Sequence, residues 1–210
     1  TGARNTAIGT AALDASTSGI KNVAVGYVAL GANTTGRENV SIGAFSLTEA
    51  TTSSYNVSIG SSNNQRTTTG SQNVSVGTYA MQYNETGANN VVIGQSASNS
   101  LTGASSTVVI GASSNASGNS ASNQIVIGAS VTGLGDNYAV IGNSNITRLY
   151  AAQDGGAVLY ANSTIVASDR RIKREIQDLD YGLDYINSLR PVSYYKKDPK
   201  DYPQELKDKF

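Results

Sequence analysis

The chain has 210 residues, and its 15 basic and 15 acidic side chains give a formal net charge of zero at pH 7. Balanced charge gives no electrostatic basis for binding nucleic acid or an anionic membrane. The sequence contains neither Cys nor His, which excludes disulfides, thiolate metal sites and a Ser-His-Asp triad, and predicts no metal or cofactor. There is no apolar run of membrane-spanning length, no signal-peptide pattern and no initiator Met, so we expect no membrane insertion and a fragment of a longer protein.

The N-terminal part of the chain, residues 1–150, repeats a short pattern, Asn-x-x-(Ile/Val)-Gly, with a 17-residue period. The pattern continues without its Asn at residues 107–111 and 124–128, and residues 138–142 end it after a step of 14. A fixed period this short indicates one small unit stacked on copies of itself. The repeated residues are Asn5, Asn22, Asn39, Asn56, Asn73 and Asn90, with Gly9, Gly26, Gly43, Gly60, Gly77, Gly94, Gly111, Gly128 and Gly142.

Each unit contains two aliphatic positions on either side of a position that is Ala or Ser as far as Ser75. This alternation predicts a half-buried strand, and the Gly that follows permits a turn. A second short strand is expected to end at Leu13, Leu30, Leu47 or Met81. We therefore predict an all-β fold, a β-solenoid or β-roll of 17-residue coils stacked at about 4.8 Å. The Asn residues would either form a hydrogen-bonded amide ladder or only supply turn geometry.

The position between the two aliphatic columns becomes Val92, Val109, Val126 and Val140 in the later units. Because β-branched residues on both faces of a strand indicate that both faces are covered, either the solenoid flattens there or another chain packs on this face. We favour the second alternative. Each coil buries only about three aliphatic side chains, too few to stabilise a whole ordered coil, so we predict an obligate oligomer.

The composition changes after residue 150. Residues 1–150 hold 10 charged side chains, whereas residues 151–210 hold 20 and all three prolines. We divide the chain into solenoid repeats over 1–150, a neck over 151–168 and a small α+β segment over 169–210. Apolar residues at steps of four and three predict a helix over about residues 181–189, followed by a strand over 192–196.

Two stretches resemble known families. Residues 22–30, Asn-Val-Ala-Val-Gly-Tyr-Val-Ala-Leu, resemble the head repeats of trimeric autotransporter adhesins, and similar repeats occur in phage tail fibres. Residues 167–173, Ala-Ser-Asp-Arg-Arg-Ile-Lys, are similar to the start of the peptidase S74 domain, an intramolecular chaperone of phage tail fibres and tail spikes. The similarity continues through residues 189–192 and Tyr194-Tyr195. That domain is usually longer, so this segment would be its truncated beginning.

The second resemblance implies a homotrimer that cuts itself at the Ser168–Asp169 bond, with Ser168 as nucleophile and Lys173 as its general base. A partly desolvated Lys can lose its proton and activate a hydroxyl. Because Ser168 attacking its own carbonyl would close a four-membered ring, we expect Ser168 of a neighbouring chain to attack. This would be a single-turnover serine-lysine autoproteolysis without an external substrate. Alternatively, Ser168 and Asp169 cap a helix and Lys173 is solvated.

Three functions follow from these observations. The leading one is a structural segment of a trimeric viral tail fibre, located in the virion, which binds a host cell-surface receptor and carries a chaperone for trimerisation. The second is a trimeric autotransporter-type adhesin on a bacterial surface, which would need a membrane anchor. The third is a glycan-degrading tail spike, which would need paired carboxylates, but Asp14, Glu38, Glu49 and Glu85 share no repeat position.

Overall fold

The computed structural model of the chain describes residues 2–149. Nine three-residue strands form one parallel sheet in which each strand pairs with the next along the chain. The strands are β1 (Thr6–Ile8), β2 (Val23–Val25), β3 (Val40–Ile42), β4 (Val57–Ile59), β5 (Val74–Val76), β6 (Val91–Ile93), β7 (Val108–Ile110), β8 (Ile125–Ile127) and β9 (Ala139–Ile141).

The register of the sheet follows the sequence repeat. Thr6 pairs with Val23, one repeat period later, and every later pair keeps that step until Ile125 pairs with Ala139, a step of 14. The predicted β-solenoid of 17-residue coils is therefore confirmed for residues 2–149, which form about eight turns without a helix.

Hydrogen bonds between coils continue outside the strands. The backbone N–H of Val23 donates to the carbonyl of Asn39 in the next coil at 2.8 Å, and the N–H of Leu30, in a turn, donates to Ser46 at 3.0 Å. Because the turns pair coil to coil as the strands do, much of the backbone has its hydrogen bonds satisfied without a second sheet.

The prediction of a second short strand after the repeated Gly is wrong for the residues that the structure describes. The four residues expected to end it lie in turns with left-handed φ angles of 48° to 54°: Leu13, Leu30, Leu47 and Met81. Two further left-handed positions recur, one before the repeated Asn, as at Lys21, and one two residues after the repeated Gly, as at Val28. Their amides donate to the preceding coil, Lys21 to Ala3 at 3.1 Å and Val28 to Thr10 at 2.9 Å. These bonds offset the cost of about 1–2 kcal/mol for each left-handed L-residue.

The middle residue of each strand from β2 to β8 is buried inside the coil. Ala24, Ser58 and Val109 are fully buried, whereas the residues on either side of them are half-buried or exposed. The expectation that another chain covers the face bearing Val92 is therefore wrong. That side chain packs inside its own solenoid, in one cluster with Leu101 and other apolar residues.

The interior contains two apolar clusters with polar residues between them. One cluster holds Leu13, Ala24, Ala29, Leu30, Leu47 and Ala50. The other holds Ala80, Met81, Val92, Ala97, Leu101, Ala104, Val109, Ala116, Ala121, Val126 and Val131. The polar layer, as we call it, consists of Ser41, Ser46, Ser58, Asn63, Asn64 and Ser75, all fully buried.

The amide ladder is present. Asn56 is fully buried, and its Nδ2 donates to Asn39 Oδ1 at 3.2 Å and to the carbonyl of Gly70 at 3.0 Å. Its Oδ1 accepts from the backbone N–H of Asn73 at 3.0 Å. The same side-chain contacts repeat from Asn22 to Asn90. The Asn column therefore joins coils directly, and does more than shape a turn.

Candidate functional site

The outward face of the sheet carries a continuous apolar surface, which we call the outer stripe. It comprises the Val and Ile residues on either side of the buried middle position. In-register pairing stacks them in two columns, one along β2 to β8 and the other along all nine strands. One column contains Val23, Val40, Val57, Val74, Val91, Val108 and Ile125, and the other contains Ile8, Val25, Ile42, Ile59, Val76, Ile93, Ile110, Ile127 and Ile141.

The outer stripe is open to solvent in a single chain. Ile42, Ile59 and Ile93 are 38%, 37% and 40% exposed, in the middle of the stack. Nine strands about 4.8 Å apart and about 10 Å long give an apolar patch of about 400 Å². A patch of this size falls among the largest that monomeric proteins expose, which are often functional, and parallel sheets are normally covered on both faces. The outer stripe therefore has the size and character of an interaction surface.

Aromatic side chains lie just beyond the carboxyl ends of the strands. Tyr27 and Phe45, in neighbouring coils, meet edge to face with ring centroids 5.2 Å apart and an interplanar angle of 87°. Tyr79 occupies the same position as Phe45 two coils further on, and all three rings are exposed. Tyr and Phe are enriched in protein interfaces, so these rings extend the apolar surface at one edge of the outer stripe.

The charged side chains of the described region make isolated contacts. Lys21 Nζ and Glu38 Oε1 form a partly exposed ion pair at 3.0 Å, and Arg66 lies 5.3 Å from the ring centroid of Tyr83. Exposed pairs of this kind contribute little to stability. Within residues 2–149 no group of three or more acidic side chains could hold a metal ion. No helix in that range is long and apolar enough to cross a membrane.

A different polar arrangement follows the amide ladder. Gln124 takes the place of Asn and is almost fully buried; its Nε2 donates to Asp136 Oδ1 at 3.0 Å and to Ser117 Oγ at 2.7 Å. The backbone N–H of Ser122 donates to the same carboxylate at 2.8 Å. These hydrogen bonds, that from Ser122 above all, lower the pKa of Asp136 below its usual value. Asp136 therefore remains ionised at neutral pH. Its carboxylate accepts hydrogen bonds from Ser122 in one coil and Gln124 in the next, and so links the two coils.

Comparison with known proteins finds a similarity in the C-terminal segment. The Peptidase_S74 family model, described as chaperone of endosialidase, matches residues 168–208. No curated protein and no solved structure matches the chain. The predicted resemblance to this chaperone is thus confirmed for residues 168–208, while the resemblance of residues 22–30 to adhesin heads stays a prediction.

The residues predicted to cut the chain lie in the matched segment. Ser168 is its first residue, and Lys173 follows five positions later. Both residues, the Ser168–Asp169 bond, the neck over 151–168 and the predicted helix and strand lie outside the described residues. Their roles therefore stay predictions, as do the boundaries of the three predicted regions.

Proposed function

We propose that this chain is part of a trimeric phage tail protein. Its solenoid forms a fibre segment of the virion that helps attach the particle to a host receptor, and the segment matched by Peptidase_S74 acts as an intramolecular chaperone for trimer assembly. The observation that carries the proposal is the order of parts along one chain: a β-solenoid of repeated coils, followed by residues similar to a chaperone of endosialidase. A repeating rod provides length and surface, and a chaperone addresses the assembly of such a rod.

The outer stripe supports a trimer. Its apolar columns run the length of the stack and are uncovered in one chain. Three parallel copies that turn this face toward a common axis would cover all three stripes and leave the polar turns in solvent. The threefold rotation that relates these copies closes into a ring in which each copy makes the same contacts. The same face would stay uncovered if the protein worked as a single chain.

The proposed cleavage is an acyl transfer followed by hydrolysis. The Ser168 hydroxyl of one chain attacks the Ser168 carbonyl carbon of its neighbour while Lys173 accepts the hydroxyl proton. An ester forms, the bond to Asp169 breaks, and the leaving amine takes up that proton. Residues 169–210 leave with that amine, and water then hydrolyses the ester, which frees residues 1–168 of the cut chain from Ser168 of the attacking chain. Because the nucleophile comes from a second chain, cleavage follows assembly.

Intact-mass spectrometry and denaturing gels test self-processing, on this chain and on the full product of its gene. We expect fragments that separate at the bond between residues 168 and 169. The substitutions Ser168→Ala and Lys173→Ala should each abolish them, whereas the matched changes Ser163→Ala and Lys196→Ala should not. A chain that stays whole in every form, or one still cut after Lys173→Ala, would contradict the proposed chemistry. Light scattering on the same samples measures the trimer separately.

Mixed trimers test the origin of the nucleophile. Isotopically heavy Ser168→Ala chains are refolded together with light wild-type chains. If Ser168 acts on a neighbouring chain, heavy chains are cut after residue 168 by their wild-type partners. Cleavage confined to the light chains would show that each chain cuts itself.

A further inference from the structure

Hydrogen bonds of the polar layer link consecutive coils inside the solenoid. Ser46 Oγ donates to Ser58 Oγ at 2.9 Å, and Ser58 Oγ donates to Asn63 Oδ1 at 2.9 Å. Ser75 Oγ, in the next coil, donates to the same Asn63 Oδ1. The Asn64 amide donates to Ser75 Oγ at 2.9 Å. Ser75 is thus the partner that both Asn residues share.

Asn63 and Asn64 depend on Ser75 to different degrees. Asn63 also donates to the carbonyls of Ile59 at 3.1 Å and Gly77 at 2.8 Å. The Asn64 amide has Ser75 as its partner, and Asn64 Oδ1 is buried without a hydrogen bond within residues 2–149. The burial of Asn64 is therefore tolerated because Ser75 lies opposite it.

Outside the polar layer, the repeated Asn, strand and Gly do not distinguish one coil from the next. Each coil from residue 22 to residue 94 has the same Asn, the same three-residue strand and the same Gly, so a stack that skipped one coil would keep these contacts. The omitted coil would form a loop one repeat period long, and the entropy cost of closing a loop rises only slowly with its length. A skipped stack loses the contacts of one coil, and at the new junction only the interior side chains differ from those of a native junction.

We infer that the polar layer fixes which coils stack together. If the coil of residues 73–89 were skipped, Asn64 would face Val92, the residue that follows Ser75 in the middle column. The Asn64 amide would then lose its one hydrogen bond while it stays buried, which lowers the population of the skipped state by about 5- to 150-fold. In the coil of residues 22–38 the positions of Asn63 and Asn64 hold Ala29 and Leu30. These apolar side chains need no hydrogen-bonding partner in the next coil.

Engineered cysteines can detect a skipped coil, because the chain has no Cys of its own. Gln72 and Ser106 occupy the same position two coils apart, about 9.6 Å, which exceeds the reach of a disulfide. Omission of residues 73–89 would make them neighbours at about 4.8 Å. The pair Gln72→Cys with Ser106→Cys therefore reports the skipped state. The pair Gln72→Cys with Asn89→Cys, in adjacent coils, reports the native one.

The decisive variant makes the layer apolar with Asn63→Ala, Asn64→Leu and Ser75→Ala, which copies the residues of the coil over 22–38. In a thiol-exchange buffer we expect the 72–106 disulfide to rise about 5- to 150-fold over the unchanged layer. The disulfide is counted within single chains on denaturing gels. The matched control, Ser61→Ala with Thr69→Ala, changes two exposed residues of the preceding coil and should leave the disulfide at background.

Circular dichroism accompanies each measurement. An apolar variant that folds and keeps the 72–106 disulfide at background would overturn the inference. So would loss of the β-sheet spectrum, because the layer would then be needed for folding itself rather than for choosing between stacks.

Discussion

At the scale of single residues, the repeated Gly has no room for a side chain. Gly60 has a φ of 137°, and a Cβ added there would lie 2.5 Å from the carbonyl oxygen and 2.6 Å from the carbonyl carbon of Gly77 in the next coil. Backbone strain of this kind costs about 1–3 kcal/mol for an L-residue, and the clash adds to it. We expect Gly60→Ala to lower the free energy of unfolding by about 3 kcal/mol or more, measured by urea denaturation.

Gly118 provides the matched control for Gly60→Ala. A Cβ at Gly118 would meet no atom within 4 Å, and this Gly has no left-handed φ. Gly118→Ala should leave stability unchanged or raise it by about 0.4–1 kcal/mol, because it restricts the unfolded chain. Equal losses from the two substitutions would show that close packing between the coils is not what requires Gly60.

The amide ladder makes a second prediction at this scale. Asn56→Ala would leave the backbone N–H of Asn73 and the carbonyl of Gly70 buried without their side-chain partner. An unsatisfied buried group costs about 1–3 kcal/mol, so we expect Asn56→Ala to lower the free energy of unfolding by about 3–5 kcal/mol. Thermal unfolding followed by circular dichroism measures this loss.

Asn5, in the first coil of the described region, is the comparison for Asn56. It is only half-buried, donating to the Gly19 carbonyl at 2.8 Å and accepting from the Asn22 N–H at 2.9 Å. Asn5→Ala should cost less than Asn56→Ala, because water reaches the groups it leaves behind. If both changes had the same effect, coil-to-coil stacking of amides would not be the source of the stability.

The sequence predicts some residue roles and hides others. Asn and Gly recur at fixed positions, and their chemistry allows few alternatives, so the ladder could be predicted. The left-handed turns could not be predicted, since Lys21, Val28 and Tyr55 all adopt positive φ although β-branched and bulky residues there are outliers. Hydrogen bonds to neighbouring coils select that conformation, and these contacts appear only once the coils are stacked.

At the scale of the coil, alternation of side chains identified the strands but not which of their faces is inside. Ala24 faces the interior, while the larger Val23 and Val25 on either side face outward. Hydrophobicity alone would bury the valines. So short a coil leaves little space between its walls, and small residues therefore occupy the middle of the strand. The outer stripe was missed for this reason, although the run of Ala and Ser at the middle position was its signal.

Coils should also be removable as whole units. Deletion of residues 23–39 joins Asn22 to Val40 and keeps every repeated position in place. Because stability in stacked repeats is roughly a sum over neighbours, we expect this variant to keep its β-sheet spectrum and to lose only a few kcal/mol of unfolding free energy. Urea denaturation monitored by circular dichroism measures both.

Deletion of residues 23–30, fewer than half as many, is the control for coil removal. It would place Gly31 directly after Asn22 and remove strand β2 without restoring the period. We expect the shorter deletion to disrupt the fold more than the longer one. The opposite order would show that the 17-residue coil is not the unit of folding.

At the scale of the whole molecule, the outer stripe connects stability with assembly. Ile42 and Ile59 are more than one-third exposed in a single chain, so the double change Ile42→Asp with Ile59→Asp places charges in solvent while the chain is alone. In a trimer closed around this face the same charges would be buried without partners, which is strongly unfavourable. We expect the variant to stay folded by circular dichroism but to have the mass of one chain by light scattering.

Self-processing gives this prediction a second measurement. If the Ser168 nucleophile comes from a neighbouring chain, the Ile42→Asp and Ile59→Asp variant should lose cleavage together with assembly. The control, Thr51→Asp with Thr69→Asp, places two charges on exposed turns outside the outer stripe and should leave both unchanged. A trimer that survives the stripe variant would locate the interface elsewhere. Cleavage that survives in a single-chain form would show instead that each chain supplies its own nucleophile, whatever holds the copies together.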